Sequence, residues 1–182
     1  LVRNFVGQWL RTRDVEKVSI DPLAVYGLQA EYEELLSFVR RHRLGRRAAN
    51  PSEPADPEAD KRRNRFQELK KIQEKWDQDV RVAMRRETEM LFEYIAKENR
   101  DLAEIIDPGY TFLNERLAGH YGVSGVQGPE MRRVELPAES VRGGVLTQGT
   151  MLTVTSNPTR TSPVKRGLYI LENVLGTPTP PA

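Results

Sequence analysis

The residue types best suited to chemistry gather in one stretch, SNPTRTSPVKRG, at positions 156–167. Ser156, Thr159, Thr161 and Ser162 bring hydroxyls, Arg160, Lys165 and Arg166 bring positive charge, and Ser162-Pro163 reads as a helix N-cap followed by its first helical residue. Hydroxyls, cations and the free N–H groups of a helix start are the components of an oxyanion or carboxylate site. Arg160, Thr161, Ser162, Lys165 and Arg166 are therefore the anion-binding candidates. Cations at the positive end of a helix dipole cost roughly 0.3–1 kcal/mol each, so something must offset them. Two arrangements would do so: a bound anion, or an ordered loop whose basic residues pair with carboxylates of the preceding helices.

Elsewhere the chemical content is sparse. His42 lies among arginines and reads as a surface residue. His120 falls near the end of a predicted helix, where an imidazolium complements the dipole and where a ligand or acid–base role is also open. The segment GVSGV places Val126 where a nucleophile elbow needs glycine, and HExxH, Walker A and dinucleotide-binding patterns are absent. There is no cysteine, which excludes disulfides, thiol nucleophiles, cysteine zinc sites and covalent haem attachment within these residues. The carboxylates sit mostly beside Arg and Lys on helical faces, so no catalytic residue and no metal set is assigned.

The 28 lysines and arginines nearly balance 26 aspartates and glutamates, which gives no general reason to expect nucleic acid or an acidic membrane surface. No apolar run approaches the roughly 20 residues that span a bilayer, and LVRNFVGQWL lacks the cationic region and cleavage site of a signal peptide. The chain opens at Leu1 inside an amphipathic pattern and closes in TPTPPA, so a piece of a longer polypeptide is expected.

The elements that must position these residues read mostly as helices. Val2, Phe5, Val6 and Trp9 form a short apolar face. Asp21-Pro22 starts a second helix carrying Leu28, Tyr32, Leu35 and Val39 on one side. The pattern is lost at about 41–60, where Pro51, Pro54 and Pro57 mark an exposed linker. Periodicity from Phe66 through Trp76, Met84 and Ile95 predicts one long helix to Arg100, forming an antiparallel hairpin with the segment after Pro22. Breaks in the heptad pattern at Asp79 and Arg86 favour an internal hairpin over a partner-seeking coiled coil.

Asp101 and Glu104 resemble a capping box, and Thr111 is predicted to cap a helix ending at Gly122. Residues 124–140 read as loop with a short strand near Arg133. Val145 to Thr155 suits either a strand or a closely packed small-residue helix. The last helix has Val164, Leu168, Leu171 and Leu175 on one face and stops at Gly176. The expected fold is mainly α, a helical hairpin plus further helices, with a proline-rich inserted linker and little or no sheet. The expected domains are 1–123, a connecting loop at 124–141, and the start of a truncated second helical domain at 142–182.

Four motifs carry a family resemblance: GQWL with RTRD (7–14), RRETEMLFEYI (85–95), YTFLNERLAGHYG (110–122) and the stretch RGGVLTQGTMLTVTSNPTRTSPVKRGLYILENVLGTPTPP (142–181). Together they resemble two adjacent domains of unknown function, fifteen-ninety-two and fifteen-eighty-eight, found in large exported planctomycete-type cytochrome c proteins. The resemblance covers nearly the whole chain except the linker. It implies a mostly helical fold, which tips Val145–Thr155 toward helix, and an exported, periplasmic or cell-envelope location. It also implies that c-type haem is carried by another part of the parent polypeptide. His120 is the haem-proximal candidate in this chain, and Met151 a weaker axial one.

On that basis the leading expectation is a non-catalytic helical module packed or docked beside the haem-bearing part of an exported redox protein. Its partners would be the remainder of the parent polypeptide, its haem domain and a redox partner. The alternative is an accessory domain of an extracellular enzyme that captures an anionic glycan, such as an acidic polysaccharide, at the basic loop.

Overall fold

The computed structural model describes residues 1–46, 56–158 and 160–177. In chain order it contains α1 (Val2–Trp9), α2 (Pro22–Val25), α3 (Gln29–Arg46), α4 (Pro57–Glu74), α5 (Gln78–Lys97), β1 (Tyr110–Leu113), α6 (Glu115–Tyr121), β2 (Arg132–Glu135), α7 (Gly149–Val154) and α8 (Pro163–Tyr169). Tight 3-10 turns occur at Thr12–Lys17 and Leu102–Ile105, and α8 runs on into a π turn, Ile170–Val174. The fold is mainly α, with a single two-stranded sheet among the described residues. Contacts divide the chain into two compact units, Ile20–Asp77 and Leu1–Ser19 together with Gln78–Ala182.

The unit Ile20–Asp77 is the predicted antiparallel hairpin. Asp21 caps α2 by accepting from the N–H groups of Leu23 and Ala24, with Pro22 as the first helical residue. Asp56 and Pro57 repeat the device at the start of α4. Between α3 and α4, Leu35, Phe66 and Leu69 bury together, and Tyr32 stacks on Phe66 with ring centroids 5.4 Å apart. Arg65 reaches both carboxylate oxygens of Glu31, at 2.7 and 3.1 Å.

Three expectations are corrected here. The helix expected from Pro22 is two, α2 ending at Val25 and α3 starting at Gln29, with Gly27 between them at φ 68°. The linker placed at about 41–60 is shorter, because α3 continues to Arg46 and α4 begins at Pro57; the centre of that linker, 47–55, lies outside the described residues. The single helix from Phe66 to Arg100 is instead two, interrupted at 75–77. Apolar spacing runs through this break, but Asp77 stands just before α5 and is a residue type that favours starting a new helix.

In the other unit, α5 is the central element, touching α1, the Thr12–Lys17 turn, β1, α6 and α7. Leu91 and Ile95 of α5 pack with Val6, Leu10, Ile105, Tyr110, Phe112 and Val145. Strands β1 and β2 are antiparallel, in register from Tyr110 opposite Glu135 to Leu113 opposite Arg132. The helix predicted from Thr111 is thereby corrected. Tyr110–Leu113 is strand with all four side chains buried, and Asn114 caps α6 instead, accepting from Leu117 N–H at 2.9 Å. An aromatic, β-branched run of this kind fits a buried sheet face better than a helix start. Gly122 ends α6 in the left-handed region (φ 73°), as expected.

The segment after Arg142 completes this unit. Gly144 N–H donates to Ile106 O (3.1 Å) and Val145 N–H to Ile105 O (2.8 Å), so two backbones run in contact. A β-carbon on Gly144 would stand 1.9 Å from the Ile105 carbonyl oxygen. The expectation of helix between Val145 and Thr155 holds for Gly149–Val154. Ser162 caps α8 by accepting from Lys165 N–H at 3.3 Å, and Tyr169 is buried with its hydroxyl on Leu10 O at 2.8 Å. The apolar residues that define this helix in the sequence are left exposed: Val164, Leu168, Leu171 and Leu175 are 73, 39, 37 and 63 % exposed. Periodicity found the face, and Tyr169, on the other side, anchors the helix.

Gly144→Ala is expected to destabilise the chain by about 3 kcal/mol or more, since backbone must move to admit the methyl. Gly109→Ala, with nothing within 4 Å of its β-carbon position, should stay within about 0.5 kcal/mol. Thermal melting of the two variants beside the parent chain measures the contrast.

Candidate functional site

Along α5, Val80, Met84, Leu91 and Ile95 are all buried, and the same face carries Glu87 and Thr88. Glu87 is 2 % exposed. A carboxyl group so far from water needs hydrogen-bond donors, and two neighbouring elements supply them. Thr111 of β1 donates to Oε1 at 2.6 Å, and the Tyr121 hydroxyl, from the last turn of α6, donates to Oε2 at 2.7 Å. The same Tyr121 oxygen accepts the N–H of Gly149, the first residue of α7, at 2.7 Å. One chain of hydrogen bonds therefore joins α5, β1, α6 and α7.

Two flanking bonds tie α7 to α5 directly. Thr88 Oγ1 donates to Gln148 Oε1, and Thr150 Oγ1 donates to the Met84 carbonyl, both at 2.7 Å. The Arg142 guanidinium lies 3.7 Å above the centroid of the Tyr121 ring. Glycine at 149 permits this closeness, since a β-carbon there would sit 2.7 Å from the Tyr121 hydroxyl and 2.8 Å from Met84 Cε.

Burial pushes Glu87 up to about 7, against the pull of the Thr111 and Tyr121 hydroxyls and of Arg142. Burial also raises Tyr121 well above its ordinary 10.0, with the Glu87 carboxylate adding to the effect. Chemically this is an acceptor hub: both carboxyl oxygens are occupied by the chain's own hydroxyls, and their geometry joins the segments of the fold.

Beside it, Tyr110 donates to Glu104 Oε2 at 2.6 Å, and Arg133 lies 4.3 Å over the Tyr110 ring. Glu104 thus serves Tyr110 and Arg100, while Asp101 alone caps the Leu102–Ile105 turn by accepting from Ala103 N–H. Half of the predicted capping box is formed.

The anion-binding candidates stay together on one turn. Arg160, Thr161 and Lys165 are exposed, and Ser162 and Arg166 are half-buried. Backbone bonds between Asn157 and Arg160 close the turn. Lys165 Nζ donates to Asn157 Oδ1 at 2.6 Å, and Arg166 Nε to Thr155 Oγ1 at 3.4 Å. Thr159 lies outside the described residues.

His120 is exposed in the last turn of α6, its ring centroid 5.8 Å from that of Tyr121. Met151 is buried, its sulfur 3.9 Å from the Thr155 hydroxyl. A surface cleft of about 440 Å³ beside α5 is lined by Asp79, Ala83, Arg86, Asn114 and Met131 among others, and by none of these candidates.

Sequence reasoning missed Glu87, Thr111, Tyr121 and Gly149 as a group. A signal was present: Glu87 occupies an apolar-face position of α5, three residues after Met84 and four before Leu91, where a carboxylate calls for an explanation.

Tyr121→Phe removes the acceptor of the Gly149 N–H and a donor to Glu87 at once. A loss of about 2–4 kcal/mol is expected, and denaturant unfolding of the full chain measures it.

Comparison with known proteins gives two partial matches. Residues 57–123 match PSD4, described as Protein of unknown function (DUF1592), and residues 142–182 match PSCyt3, described as Protein of unknown function (DUF1588). No curated protein and no solved structure matches the chain. The two matched stretches contain both halves of the hub, Glu87, Thr111 and Tyr121 in the first and Arg142 and Gly149 in the second. Residues 57–123 are thus similar to PSD4 and residues 142–182 to PSCyt3, two domains of unknown function adjacent in this chain, whose names point to planctomycete cytochrome c-associated proteins.

Proposed function

We propose that the chain is a non-catalytic helical module of a larger exported cytochrome c-type redox protein, packing beside the haem-bearing part of that protein in the periplasm or cell envelope. The observation that carries this reading is the exposed row of Val164, Leu168, Leu171 and Leu175 on α8 and its continuation, within the stretch matched by PSCyt3. Exposed apolar side chains gain about 25 cal/mol per Å² of apolar area on being covered, which favours a partner surface here.

The residues present do not fit covalent haem attachment, because thioether links need cysteine and the chain has none. On this reading the haem belongs to another part of the parent protein, and His120, exposed at the end of α6, is the residue of this chain that would lie near it. Among the described residues no helix is long and apolar enough to cross a membrane.

Expression of the parent reading frame under haem-maturing export conditions should give the visible spectrum of a c-type cytochrome; a haem-free product would defeat the redox setting. Leu168→Asp with Leu171→Asp should leave the melting of this chain within about 1 kcal/mol. The same pair should weaken its association with the separately expressed haem-bearing part at least about tenfold.

A second reading, an accessory domain that binds an anionic glycan, draws support from the neutral partners of the basic loop. Lys165 and Arg166 donate to the neutral groups of Asn157 and Thr155. Sulfate or a polyuronate should then raise the melting temperature of the parent chain and not that of Arg160→Ala. Equal responses would remove the site.

A further inference from the structure

The group that neither reading uses is Glu87. Its carboxyl is held by one donor from β1, one from α6, and through Tyr121 by the first amide of α7. It therefore sits where the segment after Arg142 meets the rest of its unit.

Of the charged groups on the surrounding elements, Glu115 of α6 accepts the Gly128 N–H at 2.8 Å, and Arg116 and the exposed His120, next to Tyr121, complete that helix's ionisable set. Arg3 of α1 pairs with Glu93, Glu16 of the Thr12–Lys17 turn pairs with Arg85, and Glu104 of the Leu102–Ile105 turn pairs with Arg100. On α5 itself, Arg85 and Arg86 both pair with Glu89. α7, with sequence GTMLTV, brings no charge, and neither does β1. Arg142, stacked on the Tyr121 ring, is the cation that acts on Glu87.

An ionised Glu87 is thus a buried charge compensated by two hydroxyls and one offset guanidinium, whereas the neutral acid buries no charge and keeps both contacts by donating its own O–H to Thr111 or Tyr121 in place of one of the bonds it accepts. The elements that enclose it on one side are short: α7 has six residues, tied down by Thr150 and Gln148 and by the Gly149 amide. Lifting this segment would let water reach the carboxylate.

We propose that Glu87 is a proton-controlled latch: in its neutral form it holds residues 142–154 against α5 and α6, and its ionisation loosens them. The sign follows from burial. The group titrates at its ordinary 4.5 when exposed and at about 7 when enclosed, so closure is fully favoured below 4.5 and declines as pH rises to about 7, then levels off. The closing equilibrium should fall on the order of a hundredfold across that window.

Hydrogen–deuterium exchange of the full chain between pH 4.5 and 8.5, corrected for intrinsic exchange, tests this. Peptides covering 142–154 should lose protection with rising pH and plateau above about 7, while peptides from α1 and β1 keep theirs. Glu87→Gln should show little of this pH dependence. A wild-type profile without the rise, an equal rise in α1 and β1, or an unchanged rise in Glu87→Gln would each overturn the latch. Should Glu87→Gln fail to fold, Arg142→Met decides. Removing the cation should extend the loss of protection to higher pH, and an unmoved profile rejects the proposal.

Discussion

A carboxyl group at 2 % exposure cannot be left without donors, and meeting that demand at Glu87 constrains most of the unit around it. β1 must bring Thr111 to one oxygen, α6 must end with Tyr121 at the other, and α7 must begin with a residue that lets its amide reach the same hydroxyl. Glycine at 149 meets the last condition by having no β-carbon. The polar core is thus a chain of dependent positions. Each hydrogen bond adds little net stability while formed and costs more when one partner is removed.

That core lies across the two family stretches. The residues matched by PSCyt3 do not sit apart from the chain that precedes them: Gly144 and Val145 pair with the backbone at Ile105 and Ile106, Tyr169 reaches Leu10, and Trp9 donates to the Asn173 carbonyl. Val145, Gln148 and Met151 are buried. The same stretch then turns outward, with one face of α8 and its π turn exposed. A segment that is anchored on one side and apolar on the other is suited to joining two bodies, and the proposed role rests on this.

How much of this could be read beforehand depends on the range of the interaction. The starts at Asp21-Pro22 and Ser162-Pro163 and the stop at Gly122 were legible because caps are bonds between residues a few positions apart. The hairpin was legible from helical spacing, whereas the interruption at 75–77 was not, because apolar residues continue across it. Thr111 was misassigned for a related reason. A threonine before an apolar run has the sequence signature of a cap, and only pairing with Arg132–Glu135 makes the run a strand. In the basic loop, the residue types and the cap were evident, but the neutral partners of Lys165 and Arg166 were not.

The sequence by itself determined the helical character, the absence of thiol chemistry and the gathering of charge at 156–167, since these follow from composition and short-range pattern. Tertiary structure alone decided that Glu87 is buried, because its donors stand 24 and 34 residues away in the chain. It likewise decided which side of α8 faces solvent. Both sides carry apolar residues, and Tyr169 was selected for the core by an acceptor on Leu10, at the other end of the chain.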